Sequence, residues 1–151
     1  MKGMTLIVKE VTRLVAGFIF LYSIYLVLFG HISPGGGFVG GVTLACGFIL
    51  LVLAFGKEFV NTLIKDRAAT FWDCLGALAF LIIALAGYTV GEFFHNLLVD
   101  KGKDYALISG GMIPLANIAI GIKVGACLAG VFVVLVLFRS DKTSTSGGEE
   151  L

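Results

Sequence analysis

Charged residues are scarce in this chain, and prolines are scarcer still. Only 14% of the 151 residues are charged, two are proline, and 58% are apolar. An ordinary soluble domain is about 25% charged and about 45–50% apolar. The mean hydropathy is +1.03. These values exclude a typical soluble domain and indicate a protein whose surface faces lipid.

An excess of positive charge is also missing, as is any pattern of metal ligands. The net charge of +1 argues against a nucleic acid partner. Cys46, Cys74 and Cys127 lie in three different apolar segments and form no CxxC pair. We expect them to be buried packing residues. His31 and His95 have no supporting ligand pattern, so we expect solvated histidines at the membrane interface, and neither a metal nor another cofactor on this chain.

Four apolar segments are each long enough to cross a bilayer, which requires about 20 residues per helix. They cover residues 11–29, 38–55, 68–90 and 114–138. None alternates polar and apolar residues as a membrane β-strand does. The predicted fold is therefore all-α, a polytopic membrane protein of four transmembrane helices.

Lysine and arginine in the short loops predict the orientation of these helices in the cell membrane. One side of the membrane would carry Lys2, Lys9, Arg13, Lys57, Lys65, Arg67, Arg139 and Lys142, and the other Lys101 and Lys103. Both termini are therefore predicted to be cytoplasmic, with the first segment retained as a span. Residues 1–139 would form the transmembrane domain. The polar tail 140–151 should be disordered or act as a docking strap.

Small residues recur at a spacing that allows helices to approach closely. The pairs are Gly36–Gly40, Gly37–Gly41, Gly121–Gly125 and Ala126–Gly130, and the third helix adds Gly76, Ala79, Ala84 and Ala86. Four helices offer limited interior for so much small-residue surface. We therefore expect part of it to meet other subunits; the alternative is packing only within this chain.

Two charged residues are predicted to lie at membrane depth. Counted from Arg139, Lys123 is about 24 Å from the inner boundary, and counted from Arg67, Asp73 is about 9 Å from it. Both are candidates to line an ion path. Alternatively, Lys123 extends to the interface or fixes helix packing. The difference of about 15 Å predicts no direct ion pair, so a buried charge would need water or another subunit as its partner.

The connection between the first two helices is rich in glycine. Pro34 prevents continuation of the first helix, and the neighbouring glycines allow a sharp, tightly packed turn predicted on the outer side. The turn reads GHISPGGGFVGG over residues 30–41, and a second stretch, PLANIAIGIKVG, opens the last helix at 114–125. Both stretches resemble the MnhB/MrpB family. Its members are small membrane subunits of Mrp-type multisubunit Na⁺/H⁺ antiporters.

The resemblance points to particular residues and settings. The turn residues matching the family's motif are Gly30, His31, Pro34, Gly35, Gly36, Gly37, Phe38, Gly40 and Gly41. Asn117, Gly121 and Gly125 are expected to pack helices. The family occurs in stand-alone antiporters and in archaeal respiratory complexes, such as membrane-bound hydrogenases and related sulfur-reducing complexes. Antiporter members commonly have Asn after the histidine, so Ile32 favours the respiratory setting.

The resemblance implies a small membrane subunit without a catalytic site, in a module that translocates Na⁺ and H⁺ within an archaeal-type respiratory complex, such as a membrane-bound hydrogenase or a related sulfur-reducing complex, and that couples redox chemistry to ion transport. Its partners would be the other membrane subunits and the lipid bilayer. The alternatives are the MnhB-type subunit of a stand-alone antiporter and a purely structural subunit of either complex. An independent transporter is disfavoured because the four segments show no internal repeat and no pair of broken helices.

Overall fold

The computed structural model describes residues 4–56, 68–89, 91 and 110–146. Within these ranges the chain forms four α-helices. They are α1 (Leu6–Leu28), α2 (Gly36–Phe55), α3 (Ala68–Ala86) and α4 (Ile113–Ser146). A short 3-10 turn, Gly87–Thr89, follows α3. All four helices are long and apolar enough to cross a membrane, so the predicted all-α fold with four candidate spans is confirmed.

Two helix boundaries differ from those predicted by five residues or more. α1 begins at Leu6 rather than at residue 11. α4 continues past the expected end at Phe138 to Ser146, through seven residues of the tail that we expected to be disordered or to act as a docking strap. The length of the apolar segment determines the length of a membrane span. A helix, however, can continue into polar residues until a residue such as glycine or proline interrupts it. No glycine or proline occurs between Arg139 and Ser146.

The helices pack side by side in the order α1, α2, α4, α3. α2 and α4 run parallel, because Gly37 lies against Asn117 and, one turn later, Gly41 lies against Gly121. α3 runs antiparallel to α4 because Gly76 lies against Lys123 whereas Ala69 lies near Gly130.

α1 runs antiparallel to α2, with Val27 against Gly40 and Phe20 against Gly47. At the far end of this pair, the Met4 amide donates to the Ala54 carbonyl oxygen at 3.0 Å. α1 and α3 therefore lie at the two edges of the layer, and α2 and α4 form its centre.

This layered arrangement buries small residues and leaves large apolar side chains at the surface. The buried apolar residues include Ala16, Ala45, Ala54, Ala84 and Ala119. The exposed ones on α1 include Leu6, Leu14, Phe18, Leu21 and Ile24. An exposed apolar surface of this extent suits a chain surrounded by lipid and by other membrane proteins.

The three cysteines do not lie where we expected them. Cys46, Cys74 and Cys127 are all exposed on the isolated chain, so the prediction of buried packing residues is wrong. The apolar character of their segments does not distinguish the side of a helix that faces its neighbours from the side that faces away. These three positions face away.

Candidate functional site

Lys123 and Asp73 form a direct ion pair. The Lys123 Nζ atom donates a hydrogen bond to Asp73 Oδ1 at 2.7 Å and links α4 to α3. The expectation that these residues are too far apart for a direct contact is therefore wrong. Both candidate ion-path residues instead belong to one site.

The register of α3 against α4 explains why the depth estimate failed. Gly76 lies against Lys123, and Ala69 lies near Gly130. In this register, Asp73 and Lys123 are separated along the helix axis by about 5 Å, or about one turn. The estimate took two arginines as markers of the same depth. The observed register of α3 against α4 contradicts that assumption, and Arg67 lies outside the described residues.

Asp73 is four residues from the start of the candidate span of α3, whereas Lys123 lies near the middle of the membrane-spanning part of α4. That span covers Ile113–Val136, so Lys123 is ten residues, or about 15 Å, from its first residue. A lysine or aspartate at the centre of a bilayer costs about 2.5–3.5 kcal/mol on insertion scales, and such residues normally pair or face protein or water. Pairing within the chain offsets part of this cost.

The pair is nevertheless accessible from one side. The Lys123 side chain is 46% exposed and the Asp73 side chain 31% exposed. Lysine has three N–H donors and a carboxylate has two acceptor oxygens. Among the described residues, each of these two side chains hydrogen-bonds only to the other. Within the described part of the chain, donors and acceptors therefore remain for an ion, water or a neighbouring protein.

The glycine turn between α1 and α2 is tightly folded. A β-carbon at Gly30 would overlap the Gly36 α-carbon, and Gly36 has φ +68°, a left-handed conformation that favours glycine. The Ser33 hydroxyl donates to the Phe29 carbonyl oxygen at 3.0 Å. Gly35 precedes the first residue of α2, so the chain reverses direction within a few residues.

The glycines that follow the turn form a seam with α4. A β-carbon at Gly37 would overlap the Asn117 backbone, and one at Gly41 would lie 2.8 Å from the Gly121 carbonyl oxygen. At Gly125 it would approach the Leu44 side chain at 3.1 Å. The contacts of Asn117, Gly121 and Gly125 are thus between helices of this chain. Whether other small residues meet partner subunits stays a prediction, and Gly17 on α1 has open space around it.

The polar residues at the turn occupy different positions. Asn117 is buried at 9% exposure in the seam. His31 is half-buried, and its ring lies next to Gly110, where a β-carbon would be 3.1 Å from His31 Cδ2. Pro34 and Phe38 are exposed.

In the described ranges no three His, Cys, Asp or Glu residues come close enough to hold a metal, and His95 lies outside those ranges.

An apolar groove of about 340 Å³ lies between α2 and α3, and residues of α4 also line it. Phe48 and Val52 of α2, Trp72 of α3, and Ala129 and Val133 of α4 line it, and its lining includes no charged residue. Such a surface suits a lipid chain or an apolar side chain rather than a hydrated ion. The Lys123–Asp73 pair is therefore the better candidate for ion handling among the described residues.

Sequence reasoning missed one buried polar contact. The Ser23 hydroxyl is fully buried and donates to the Gly40 carbonyl oxygen at 2.7 Å. It joins α1 to the first turns of α2, next to the glycine seam. The signal was a lone serine within an apolar span, a residue type that commonly bonds across helices in membranes.

The fold and its charged pair define a polytopic membrane protein with an exposed ion pair between two neighbouring helices. Residues 7–130 match the family described as a domain related to the MnhB subunit of Na⁺/H⁺ antiporter. The match covers most of the chain, so the protein belongs to this family. The predicted resemblance is thereby confirmed, as is the predicted role of a membrane subunit in a Na⁺/H⁺ antiporter-type module.

Individual relatives agree with this assignment. A Na⁺/H⁺ antiporter subunit of Bacillus subtilis is 46% identical over 145 residues, which covers 96% of this chain and 94% of the relative. An uncharacterised protein of Methanocaldococcus jannaschii is 37% identical over 130 residues. That match covers 80% of this chain but 47% of the relative, so the chain spans about half the length of that protein.

One solved structure has a similar fold. It is a chain of the membrane-bound sulfane sulfur reductase, an archaeal respiratory membrane complex. The TM-score is 0.71 at 30% sequence identity, and the match covers 88% of this chain and 57% of that one.

Proposed function

We propose that this chain is the MnhB-type subunit of a multisubunit Na⁺/H⁺ antiporter, without a catalytic site of its own. The observation that carries the proposal is the match to the Bacillus subtilis antiporter subunit over almost the full length of both chains. The exposed apolar surfaces of the helix layer fit a subunit with several neighbours in the membrane.

In this proposal both termini face the cytoplasm and the glycine turn faces outward. The uneven distribution of lysine and arginine supports this orientation. The four candidate spans within the described residues are an even number, which is consistent with both ends on one side.

The Lys123–Asp73 pair borders the ion route of the module. In the paired state the Lys123 ammonium group binds the Asp73 carboxylate. When the pair opens, the carboxylate oxygens become available to Na⁺ or to a proton, and both cations compete with lysine for the same negative charge. Such competition is the property that an exchange site for the two cations requires.

Transport by assembled complexes tests this role. Asp73→Asn removes the negative charge for which the cations compete. Lys123→Arg keeps the positive charge but replaces a compact ammonium with a planar guanidinium that can bind both carboxylate oxygens and keep the pair closed. We expect each variant to lower Na⁺-dependent H⁺ exchange in everted membrane vesicles by about tenfold, or 1.4 kcal/mol, normalised to assembled complex. Leu128→Ala, an exposed change on the same helix, serves as the control.

The alternative is a purely structural subunit with no titratable residue on the route. Wild-type exchange rates in assembled Asp73→Asn and Lys123→Arg complexes would favour that alternative and contradict the role of the pair.

A respiratory complex is the second candidate setting, supported by the fold match to the archaeal sulfane sulfur reductase chain. Purification of the tagged chain from native membranes in mild detergent, followed by mass spectrometry, separates the two settings. Antiporter-like membrane subunits alone would support the stand-alone antiporter. The same subunits accompanied by hydrogenase-like and iron–sulfur proteins would support the respiratory complex.

A further inference from the structure

The apolar groove is lined by small residues of α4 where the sequence predicted close helix packing. Ala126, Ala129 and Gly130 border it, together with Phe48 of α2 and Trp72 of α3. Small residues at this spacing normally let another helix pack closely against them. Within the described part of the chain they border a cavity instead, so the groove is open to an occupant that these helices do not supply.

The groove is too narrow for a helix. On α4 its lining extends from Ile122 to Val133, which is about 16 Å along the axis. The volume of about 340 Å³ over this length gives a mean cross-section of about 20 Å². A helix with its side chains is about 10–12 Å across, or about 80–110 Å² in section. Non-bonded carbon atoms lie about 3.5–4.0 Å apart, so the groove accommodates one extended hydrocarbon chain.

The length and position of the groove match one leaflet of a bilayer. The candidate span of α4 is Ile113–Val136, so Val133 lies near the end of the span and Ile122 near its middle. A hydrocarbon core about 30 Å thick provides about 15 Å for each leaflet. A lipid chain that enters at the Val133 end would therefore follow the groove as far as the middle of the bilayer.

The end of the helix layer nearest Val133 carries a net positive charge. Lys9 and Arg13 of α1 lie over the ring of Phe55, the last residue of α2, at 5.8 and 5.5 Å from its centroid. Glu10 pairs with Arg13. At the same end α4 continues through residues 139–142, which contain two basic residues and one acidic residue. Clusters of basic residues at a membrane surface attract anionic lipid headgroups.

We propose that the groove binds one acyl chain of an anionic phospholipid, with the headgroup at the positively charged end of the layer. The apolar lining, the cross-section and the length of the groove select the acyl chain, and the charge at its end selects the headgroup. With both termini in the cytoplasm, this lipid belongs to the inner leaflet. The proposal goes beyond the transport role, and its test does not require Na⁺ transport.

Trp72 is the single tryptophan of the chain and lines the groove, so its fluorescence reports the occupant. The full chain is reconstituted in phosphatidylcholine vesicles in which about a tenth of the lipid has brominated acyl chains, which quench tryptophan on contact. Brominated phosphatidylglycerol should quench at least about threefold more than brominated phosphatidylcholine at the same fraction, because the anionic lipid is enriched in the groove. Equal quenching by the two lipids would overturn the proposal.

A matched pair of variants on α4 locates the bound lipid. Ala129→Leu fills the groove, whereas Cys127→Leu adds a similar side chain at an exposed position outside its lining. Ala129→Leu should abolish the excess quenching by brominated phosphatidylglycerol, and Cys127→Leu should retain it. Undiminished excess quenching in Ala129→Leu would overturn the assignment to the groove. Size-exclusion chromatography identifies a misfolded variant, and the comparison of the two lipids on the wild-type chain then decides alone.

The assembled complex distinguishes a lipid from an apolar side chain of a partner subunit. Complexes are purified in mild detergent through the tagged wild-type or Ala129→Leu chain, and mass spectrometry measures their bound phospholipids and their subunits. Ala129→Leu should lower the amount of anionic phospholipid per complex. Loss of a partner subunit with no loss of anionic phospholipid would show that a protein side chain occupies the groove, and would overturn the proposal.

Discussion

Single glycines determine how closely α2 and α4 approach. The motif residues were predictable from sequence, because a run of glycines after Pro34 is compatible with few structures other than a tight turn leading into a packed helix. The Lys123–Asp73 contact was not predictable, since it depends on how far α3 is shifted along α4. The amino-acid composition of either helix does not reveal such a shift.

Gly37 and Gly17 provide a matched pair for testing the seam. A β-carbon at Gly37 would overlap the Asn117 backbone, whereas nothing lies within 4 Å of the same position at Gly17. Gly37→Ala should therefore lower the stability of the chain by about 1–3 kcal/mol, as overpacking does. Gly17→Ala should be neutral or stabilise it by up to about 1 kcal/mol, because alanine is the better helix former.

Thermal unfolding of the detergent-solubilised chain, followed by size-exclusion chromatography, measures both effects. Equal melting temperatures for Gly37→Ala and Gly17→Ala would show that the seam is not tightly packed.

At the level of helices, the sequence determined the number of elements but not their neighbours. Each span was evident from about 20 consecutive apolar residues. The order α1, α2, α4, α3 follows from side-chain contacts such as Val27 with Gly40 and Gly76 with Lys123. These contacts join residues that are distant in sequence. The wrong prediction for the three cysteines has the same cause. The side of the helix on which each one lies could be assigned only once the neighbouring helices were known.

Ser23 tests the contact between α1 and α2. Its buried hydroxyl donates to the Gly40 carbonyl oxygen, and interhelical hydrogen bonds in membranes contribute about 0.6 kcal/mol on average. Ser23→Ala should lower stability by about that amount. Thr43 is the control, because its hydroxyl bonds to Val39 within its own helix. Thr43→Ala should change stability by less, and an equal loss in the two variants would argue against a special role for the Ser23 contact.

At the scale of the whole molecule, an open layer of helices accounts for a chain that works beside other subunits. α1 and α3 form the edges, and large apolar side chains remain exposed along α1. Sequence composition predicted the membrane environment, and the family match confirmed the role of an antiporter-type subunit. The surfaces used by partners depend on the assembled complex and therefore cannot be derived from this chain's composition.

Orientation is testable with single cysteines in a chain whose three native cysteines are replaced by alanine. Pro34 and Thr5 are both exposed, at the turn and just before α1 respectively. Pro34→Cys should react with a membrane-impermeant maleimide added to intact cells, whereas Thr5→Cys should react only after the membranes are opened. The reverse pattern would contradict cytoplasmic termini.

The most direct test of the central claim compares membranes with and without this chain. Everted vesicles are prepared from cells that carry the whole complex, from cells lacking only this subunit, and from the latter after the subunit is supplied again. The rate of Na⁺-dependent H⁺ exchange is measured in each. We expect exchange to be lost with the subunit and restored with it. Exchange that continues at the wild-type rate without the subunit would contradict the account.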